Sequence, residues 1–193
     1  MKTSLGAKTF LYPTPVLIVG TYDAGGEPNA MAVAWGGICC SKPPCLNISV
    51  RKATYSYGNL MEKKAFTVSI PSTDRAAEAD YFGVASGRDA DKFAAAGLTP
   101  VRSQVVDAPY VGEFPLVLEC KVVHTTELGL HTLFVGEILD VKAEESCLDQ
   151  EGKLSADLVK PFCWAPPENT YYAFGESLGR GFSIGRSLGD GDR

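Results

Sequence analysis

The sequence predicts a mainly β protein, a closed antiparallel barrel that carries helical insertions. Six or more segments have the alternating or continuously apolar pattern of strands. The two longest, 116–125 and 130–143, have a length typical of curved barrel strands rather than of a flat sheet. Helical patterns occur only between residues 55 and 96, in the middle of the run of strands.

Composition narrows the classes of partner. The 193 residues suit one domain, and 45% hydrophobic with 21% charged residues is ordinary for a soluble globular protein. A net charge of −5 argues against nucleic acid and anionic membranes as partners. Neither a secretion signal nor a membrane span is recognisable. We therefore expect a cytoplasmic protein whose six cysteines are thiols.

The first strands are distinguished by their side-chain patterns. Residues 16–21 are apolar on both faces and predict a core strand, which a turn at 23–26 separates from the next. In that second strand small and large side chains alternate: Ala30, Ala32 and Ala34 against Met31, Val33 and Trp35. An all-alanine face leaves room for a flat ligand close to the backbone, or for tight packing of another strand or helix.

A candidate anion site follows the next strand. Residues 46–51 alternate apolar and polar side chains, as a half-buried strand does, and residues 36–45 before them are interpreted as a loop. Arg51, Lys52 and Thr54 come at the strand's end, directly before a helical pattern over 55–64. Two cations, a hydroxyl and the free amides of a helix start favour a phosphate group. The alternative is a strand that ends in solvated charges.

The middle of the chain alternates helical and strand patterns. A strand is predicted over 65–70 and a helix over 71–84. Asp89 is expected to cap a short helix over 90–96, which Gly97 ends in the left-handed conformation. After the two long strands, residues from 161 onward mix aromatics with prolines and glycines. We interpret 1–193 as a single domain with 161–193 as a wrapping C-terminal extension.

Several common kinds of site are disfavoured. Cys39, Cys40 and Cys45 lack the spacing of a paired metal-ligand knuckle, so no metal site is predicted. His124 and His131 could meet across a hairpin, but no nucleophile motif accompanies them. The chain contains neither a P-loop nor a Rossmann glycine motif. The turn at 86–89, followed by Lys92, could contact a polar part of a ligand or could simply begin a helix.

Taken together, these segments resemble the flavin reductase-like FMN-binding split-barrel family. The likeness runs nearly from end to end and is carried by the order and spacing of several motifs. They are YPTPVLIVGTYDAGGEPNAMAVAW, CSKPP before ISVRKATYSY, FTVSIPS, ADYFGVASGRDADKFAAAGLTP, and PLVLECKV with LFVGEI.

The resemblance implies a fold, a cofactor and a set of contacts. It implies a six-stranded antiparallel split barrel that forms a homodimer and holds FMN non-covalently. The residues matching the family's cofactor-binding segments are Asn29, Met31, Ala32, Val33, Ala34, Trp35, Arg51, Lys52, Ala53, Thr54, Ser86, Lys92 and Trp164. Ala32 departs from the threonine that the family often has there. A hydroxyl contact would be lost, while backbone contacts would survive.

The expected chemistry is redox, with electrons taken from NAD(P)H or a protein donor and passed on through FMN. No side chain is assigned as a catalytic acid or base. A cation near the N1–O2 edge of a flavin stabilises its anionic reduced form, and Lys92 is the candidate. Two alternatives stay open: an electron carrier without an NAD(P)H site of its own, and a non-redox barrel that binds another planar cofactor.

Overall fold

The computed structural model describes residues 1–188. The strands in these residues are β1 (Thr14–Pro15), β2 (Leu17–Tyr22), β3 (Pro28–Val33), β4 (Gly36–Ser41), β5 (Pro44–Arg51), β6 (Ala65–Ile70), β7 (Pro100–Arg102), β8 (Pro109–Val111), β9 (Leu116–Leu128), β10 (His131–Ala143), β11 (Phe162–Ala165) and β12 (Thr170–Ala173). The helices are α1 (Tyr55–Lys63), α2 (Ala76–Val84), α3 (Lys92–Ala96) and α4 (Ala156–Val159), with short 3₁₀ turns at Thr73–Arg75, Glu145–Cys147 and Ile184–Leu188.

The main sheet is antiparallel and has the order β3-β2-β6-β9-β10-β5-β4 in the described chain. Its two end strands, β3 and β4, follow each other in sequence through Ala34 and Trp35. The amide of Ser49 on β5 donates to the carbonyl of Trp35 at 2.7 Å. Strands β3 and β4 are therefore the two halves of one bent segment, which lies at both edges of the sheet. Counted as one strand, this segment gives the six-stranded split barrel that was predicted. The expectation of a closed barrel was wrong, because at this bend the segment stops pairing with β2 and begins to pair with β5.

Apolar side chains fill both the barrel and the space beneath the helices. Inside the barrel, Ile48, Phe66 and Phe134 are fully buried. A second cluster, around Phe82 and Phe93, packs α2 and α3 against the outer face of the sheet. Each cluster is formed by the side chains that one face of a strand or helix presents to it.

The predicted helices are found, with three changes at their ends. Helix α2 begins at Ala76 and not at residue 71, because Ser72 pairs with Pro161 in a β-bridge and Thr73–Arg75 forms a 3₁₀ turn. Helix α1 ends one residue early, because Lys64 has a left-handed backbone with φ 53°. The cap of the short helix is Asp91 and not Asp89: Asp91 Oδ1 accepts from the amide of Ala94 at 3.0 Å. Gly97 does end this helix in the left-handed conformation, as predicted.

Strand β4 and the small sheets were missed by the sequence reasoning. Residues 36–41 are predicted as loop because they contain two glycines and no clear apolar–polar alternation, whereas in the structure they pair with β5. Strands β11 and β12 pair with β1 in a separate three-stranded sheet, which anchors the beginning of the predicted C-terminal extension. Residues 189–193 of that extension lie outside the described residues. Across residues 1–188, the helices are all too short or too polar to cross a bilayer.

Candidate functional site

A cleft of about 750 Å³ opens where β3, the end of β5 and the segment after α2 meet. This volume lies in the range of sites for small molecules and cofactors. All the predicted site residues except Lys52 line it: Asn29, Met31, Ala32, Val33, Ala34, Trp35, Arg51, Ala53, Thr54, Ser86, Lys92 and Trp164. The fold thus brings together segments that are far apart in the sequence.

One end of the cleft is rich in cations. Arg51 ends β5, and a tight turn follows in which the Thr54 hydroxyl donates to the Arg51 carbonyl at 2.9 Å. Because its hydrogen is used there, Thr54 orders the turn rather than offering a donor to a ligand. Arg88 reaches the same turn and donates from Nη1 to the carbonyl of Ala53 at 3.0 Å. Two guanidinium groups and the first amides of α1 therefore share one end of the cleft.

Lys52 is the one predicted site residue that does not line this cleft. Its Nζ forms an ion pair with Glu127 Oε1 at 2.7 Å, on the hairpin that joins β9 and β10. Arg51 is the last residue of β5 and Lys52 is the first residue of the turn, so the two side chains leave the backbone in different directions. Lys52 is absent from the lining, and its charge is neutralised by the carboxylate.

The loop after α2 packs tightly on the cleft wall at Gly87. A Cβ added at Gly87 would lie 2.2 Å from Asn29 Oδ1, so a side chain there would displace the loop or the amide. Asn29 is itself held from inside, where its Nδ2 donates to Ser56 Oγ at 2.8 Å. Arg88, on the same loop, lies over the ring of Tyr55 at 5.7 Å. These contacts hold the wall in one arrangement.

Lys92 is the buried cation of the cleft, with 4% of the residue exposed. Its Nζ donates to the carbonyls of Phe82 and Ala85, each at 3.2 Å, at the C-terminal end of α2. The ammonium has three donors, so one is left beyond these two bonds. Burial lowers the pKa of Lys92 from 10.5 to about 8, so it carries most of its charge at neutral pH.

This lowered pKa predicts a pH-dependent stability. Between pH 8 and 10.5 the folded Lys92 has lost its proton while the unfolded chain still binds it. The free energy of unfolding should therefore increase with pH across this window. We expect this increase to be smaller in Lys92→Met, measured by urea denaturation at several pH values. Lys52→Met is the control: Glu127 raises the pKa of Lys52, so its removal should not reduce the increase. An equal slope in Lys92→Met would contradict the prediction.

The apolar walls are aromatic on one side and small on the other. Trp35 and Trp164 meet edge to face with ring centroids 6.1 Å apart. Ala30 is fully buried against the α2 cluster, and a Cβ on Gly83 of α2 would lie 3.2 Å from the Ala32 Cβ. Helix α2 therefore covers Ala30 and approaches Ala32, as in the packing alternative considered from the sequence, while Ala32 and Ala34 still line the cleft.

Sequence reasoning missed Arg88 and His131 as lining residues. Arg88 was noticed only as part of a turn, and His131 was interpreted as an ordinary strand histidine. His131 lies opposite Arg51 in the pairing of β10 with β5, which the strand pattern alone does not reveal. The two histidines do not meet, because His124 pairs with Val135. Within residues 1–188, no group of three or more His, Cys, Asp or Glu is placed to hold a metal ion.

Comparisons with known proteins agree with this geometry. Residues 9–161 match the family model of the flavin reductase like domain. The structure of flavoredoxin of Desulfovibrio vulgaris (Miyazaki F) has 54% sequence identity and a TM-score of 0.92, covering 96% of this chain and 100% of that one. Flavoredoxin from Methanosarcina acetivorans has 31% identity and a TM-score of 0.91, covering 97% and 99%. A protein from Shewanella frigidimarina described as having a split barrel domain, at 22% identity, has a TM-score of 0.81 over 93% and 98% and shares the fold.

Proposed function

The chain belongs to the flavin reductase-like domain family, and from this premise we propose that it is a redox flavoprotein that holds FMN in the cleft. The observation that carries the proposal is the distribution of charge in the cleft. Arg51 and Arg88 stand at one end, and the buried ammonium of Lys92 lines another part beside apolar walls. A ligand with a dianionic end and a flat, polar-edged ring suits this arrangement.

The cation-rich end fits the phosphate of FMN. A phosphate monoester carries nearly two negative charges at neutral pH. Arg51 and Arg88 can balance these charges with bidentate contacts, and the first amides of α1 add donors. Thr54 contributes by ordering the turn that presents Arg51. Lys52 is left out of this proposal, because its Nζ is paired with Glu127 and it does not line the cleft.

The other cleft residues suit the ring. Trp35, Trp164 and Met31 offer apolar surface, and backbone groups of 31–34 offer hydrogen bonds, so the replacement of a threonine by Ala32 leaves these intact. When bound, FMN supplies the electron transfer, taking electrons from NAD(P)H or a redox protein. Lys92 contributes an ammonium that favours the negative charge which reduction adds. No described side chain needs to act as an acid or base.

Lys92→Met should lower the reduction potential of the bound cofactor. Losing about 1–3 kcal/mol of cation–anion attraction corresponds to roughly 20–60 mV for a two-electron couple. Redox titration of the purified holoprotein measures this change. Lys52→Met, which removes a lysine outside the cleft, is the control and should leave the potential where it was. An unchanged potential in Lys92→Met would remove that residue from the role.

Absorption spectroscopy tests the proposed function as a whole. The purified protein, or the apoprotein after addition of FMN, should show flavin bands that bleach on anaerobic reduction. A spectrum typical of haem would favour another planar cofactor. A colourless protein that does not bind added FMN would refute the proposal.

The likeness to flavoredoxins favours one alternative, an electron carrier without an NAD(P)H site of its own. Rapid bleaching by NADH or NADPH would identify a reductase, whereas reduction only by a protein donor would identify a carrier.

We also propose that the chain acts as a cytoplasmic homodimer. Large apolar side chains on the long hairpin are exposed, among them Val123, Leu130 and Val141, each at 51% or more. A second copy that covered them would remove this apolar surface from water. Light scattering coupled to gel filtration gives the mass directly, and a monomer at micromolar concentration would contradict the proposal.

A further inference from the structure

Three of the six cysteines lie on the hairpin formed by β4 and β5. Cys40 and Cys45 are directly opposite each other in the register of the two strands. The register shifts between Ile38 and Cys40, so Cys39 is the extra residue of a bulge. At a bulge two residues of one strand oppose one residue of the other, and here Cys39 and Cys40 oppose Cys45.

The opposed pair has the separation that a disulfide requires. Directly opposite residues in antiparallel strands have Cα atoms about 4.5–5.5 Å apart, inside the range of about 4.4–6.8 Å that disulfides span. Both thiols are free in this structure. A bond between them would therefore join residues that the strand register already places opposite each other.

We propose that Cys40 and Cys45 form a thiol–disulfide exchange site for small-molecule disulfides. The Cys40 thiolate attacks one sulfur of the external disulfide, whose S–S bond breaks and releases one thiol. The Cys45 thiolate then attacks the Cys40 sulfur of the mixed disulfide and releases the second thiol. The external disulfide is reduced to two thiols, which take the two protons, while the two cysteines are oxidised to a cystine.

Exposure assigns the two roles. Cys40 is exposed and can meet an external disulfide, whereas Cys45 has only 5% of its surface exposed. Burial, together with the neighbouring thiols, raises the pKa of Cys45 above the ordinary value of a thiol. Cys45 is therefore a poor first nucleophile. It becomes effective once Cys40 carries the mixed disulfide directly opposite it.

The thiol pair is separate from the cleft. Cys45 and Arg51 lie near opposite ends of β5, and a strand that rises about 3.3 Å per residue places them roughly 20 Å apart. The exchange reaction thus needs no contact with the bound cofactor. It stands whether or not FMN is the ligand of the cleft.

Incubation with oxidised and reduced glutathione tests the proposal. The protein is equilibrated in mixtures of the two, quenched in acid, unfolded, alkylated and weighed by mass spectrometry. We expect two fewer alkylated thiols, an unalkylated mass lower by two hydrogen atoms than that of the reduced protein, and full reversal by dithiothreitol. Oxidation that leaves all six thiols alkylatable, or that links two chains, would overturn the proposal.

Single cysteine variants identify the partners. Cys45→Ser should stop at a glutathione adduct on Cys40, because no resolving thiol is present, and Cys40→Ser should form no bridge. Cys39→Ser is the matched control, an adjacent exposed thiol whose loss should leave the bridge intact. A bridge that persists in Cys40→Ser, or that disappears in Cys39→Ser, would refute the assignment. Circular dichroism confirms that each variant is folded.

Discussion

Replacing Arg51 with glutamine is expected to weaken FMN binding by about ten- to a hundredfold. The loss of one charge-assisted contact to a dianionic phosphate costs about 1.5–3 kcal/mol, and each 1.4 kcal/mol is a factor of about ten in affinity. Arg51 lies at the exposed end of β5, so its replacement removes no core packing. Titration of the apoprotein with FMN, followed by flavin fluorescence, gives the dissociation constant.

Lys52→Gln is the matched control, because it removes the same charge one residue further along the chain. Its partner is Glu127, at 2.7 Å, and its side chain does not line the cleft. We expect its FMN affinity to stay within about twofold of the wild type, since an exposed ion pair contributes little. Equal losses in both variants would mean that binding responds only to overall charge. Unchanged FMN affinity in Arg51→Gln would show that the phosphate does not bind at this end of the cleft.

Gly20→Ala is expected to lower the free energy of unfolding by about 3 kcal/mol, through overpacking and a lost hydrogen bond. A Cβ at Gly20 would lie 2.0 Å from the carbonyl oxygen of Pro109 and 2.6 Å from Thr67 Oγ1. Thr67 donates to that same carbonyl at 2.5 Å, inside the protein. The backbone of β8 would have to move away from β2, and this bond would break.

Thermal and urea denaturation measure this effect, with Gly58→Ala as the control. Gly58 is exposed in α1, and a Cβ there would meet nothing within 4 Å. Alanine in a helix interior is about 0.5–1 kcal/mol more favourable than glycine, so this variant should be slightly more stable than the wild type. If the free energy of unfolding of Gly20→Ala falls by less than about 1 kcal/mol, β8 can move away from β2 at little cost and the prediction is wrong.

Local patterns were enough to predict six of the seven strands of the main sheet in the described chain. The strand at 65–70 was predicted with the bounds of β6, and Gly97 ends its helix as expected. Both features depend on side-chain period and backbone preference over a few residues. Asp91 instead of Asp89 as the cap shows where such reasoning stops. Two aspartates near one helix start offer the same local signal, and packing of the preceding turn selects between them.

The sequence also shows which residue types form the candidate site, but it does not show which way each side chain points. In the sequence, Arg51 and Lys52 are two adjacent cations with no feature that separates their roles. Only the pairing of β9 with β10 brings Glu127 to Lys52. Arg88 and His131 join the lining through contacts between segments distant in the chain.

By itself the sequence determined the family, the alternating strands and a cationic strand end before a helix, because these depend on residue type and short-range period. Tertiary structure alone decided that the barrel splits at Ala34 and Trp35, that helix α2 packs on Ala30 and Ala32, and which of two adjacent cations lines the cleft. Those outcomes depend on hydrogen bonds and close packing between segments that are far apart in the sequence. A pattern of residue types does not give the distances between such segments.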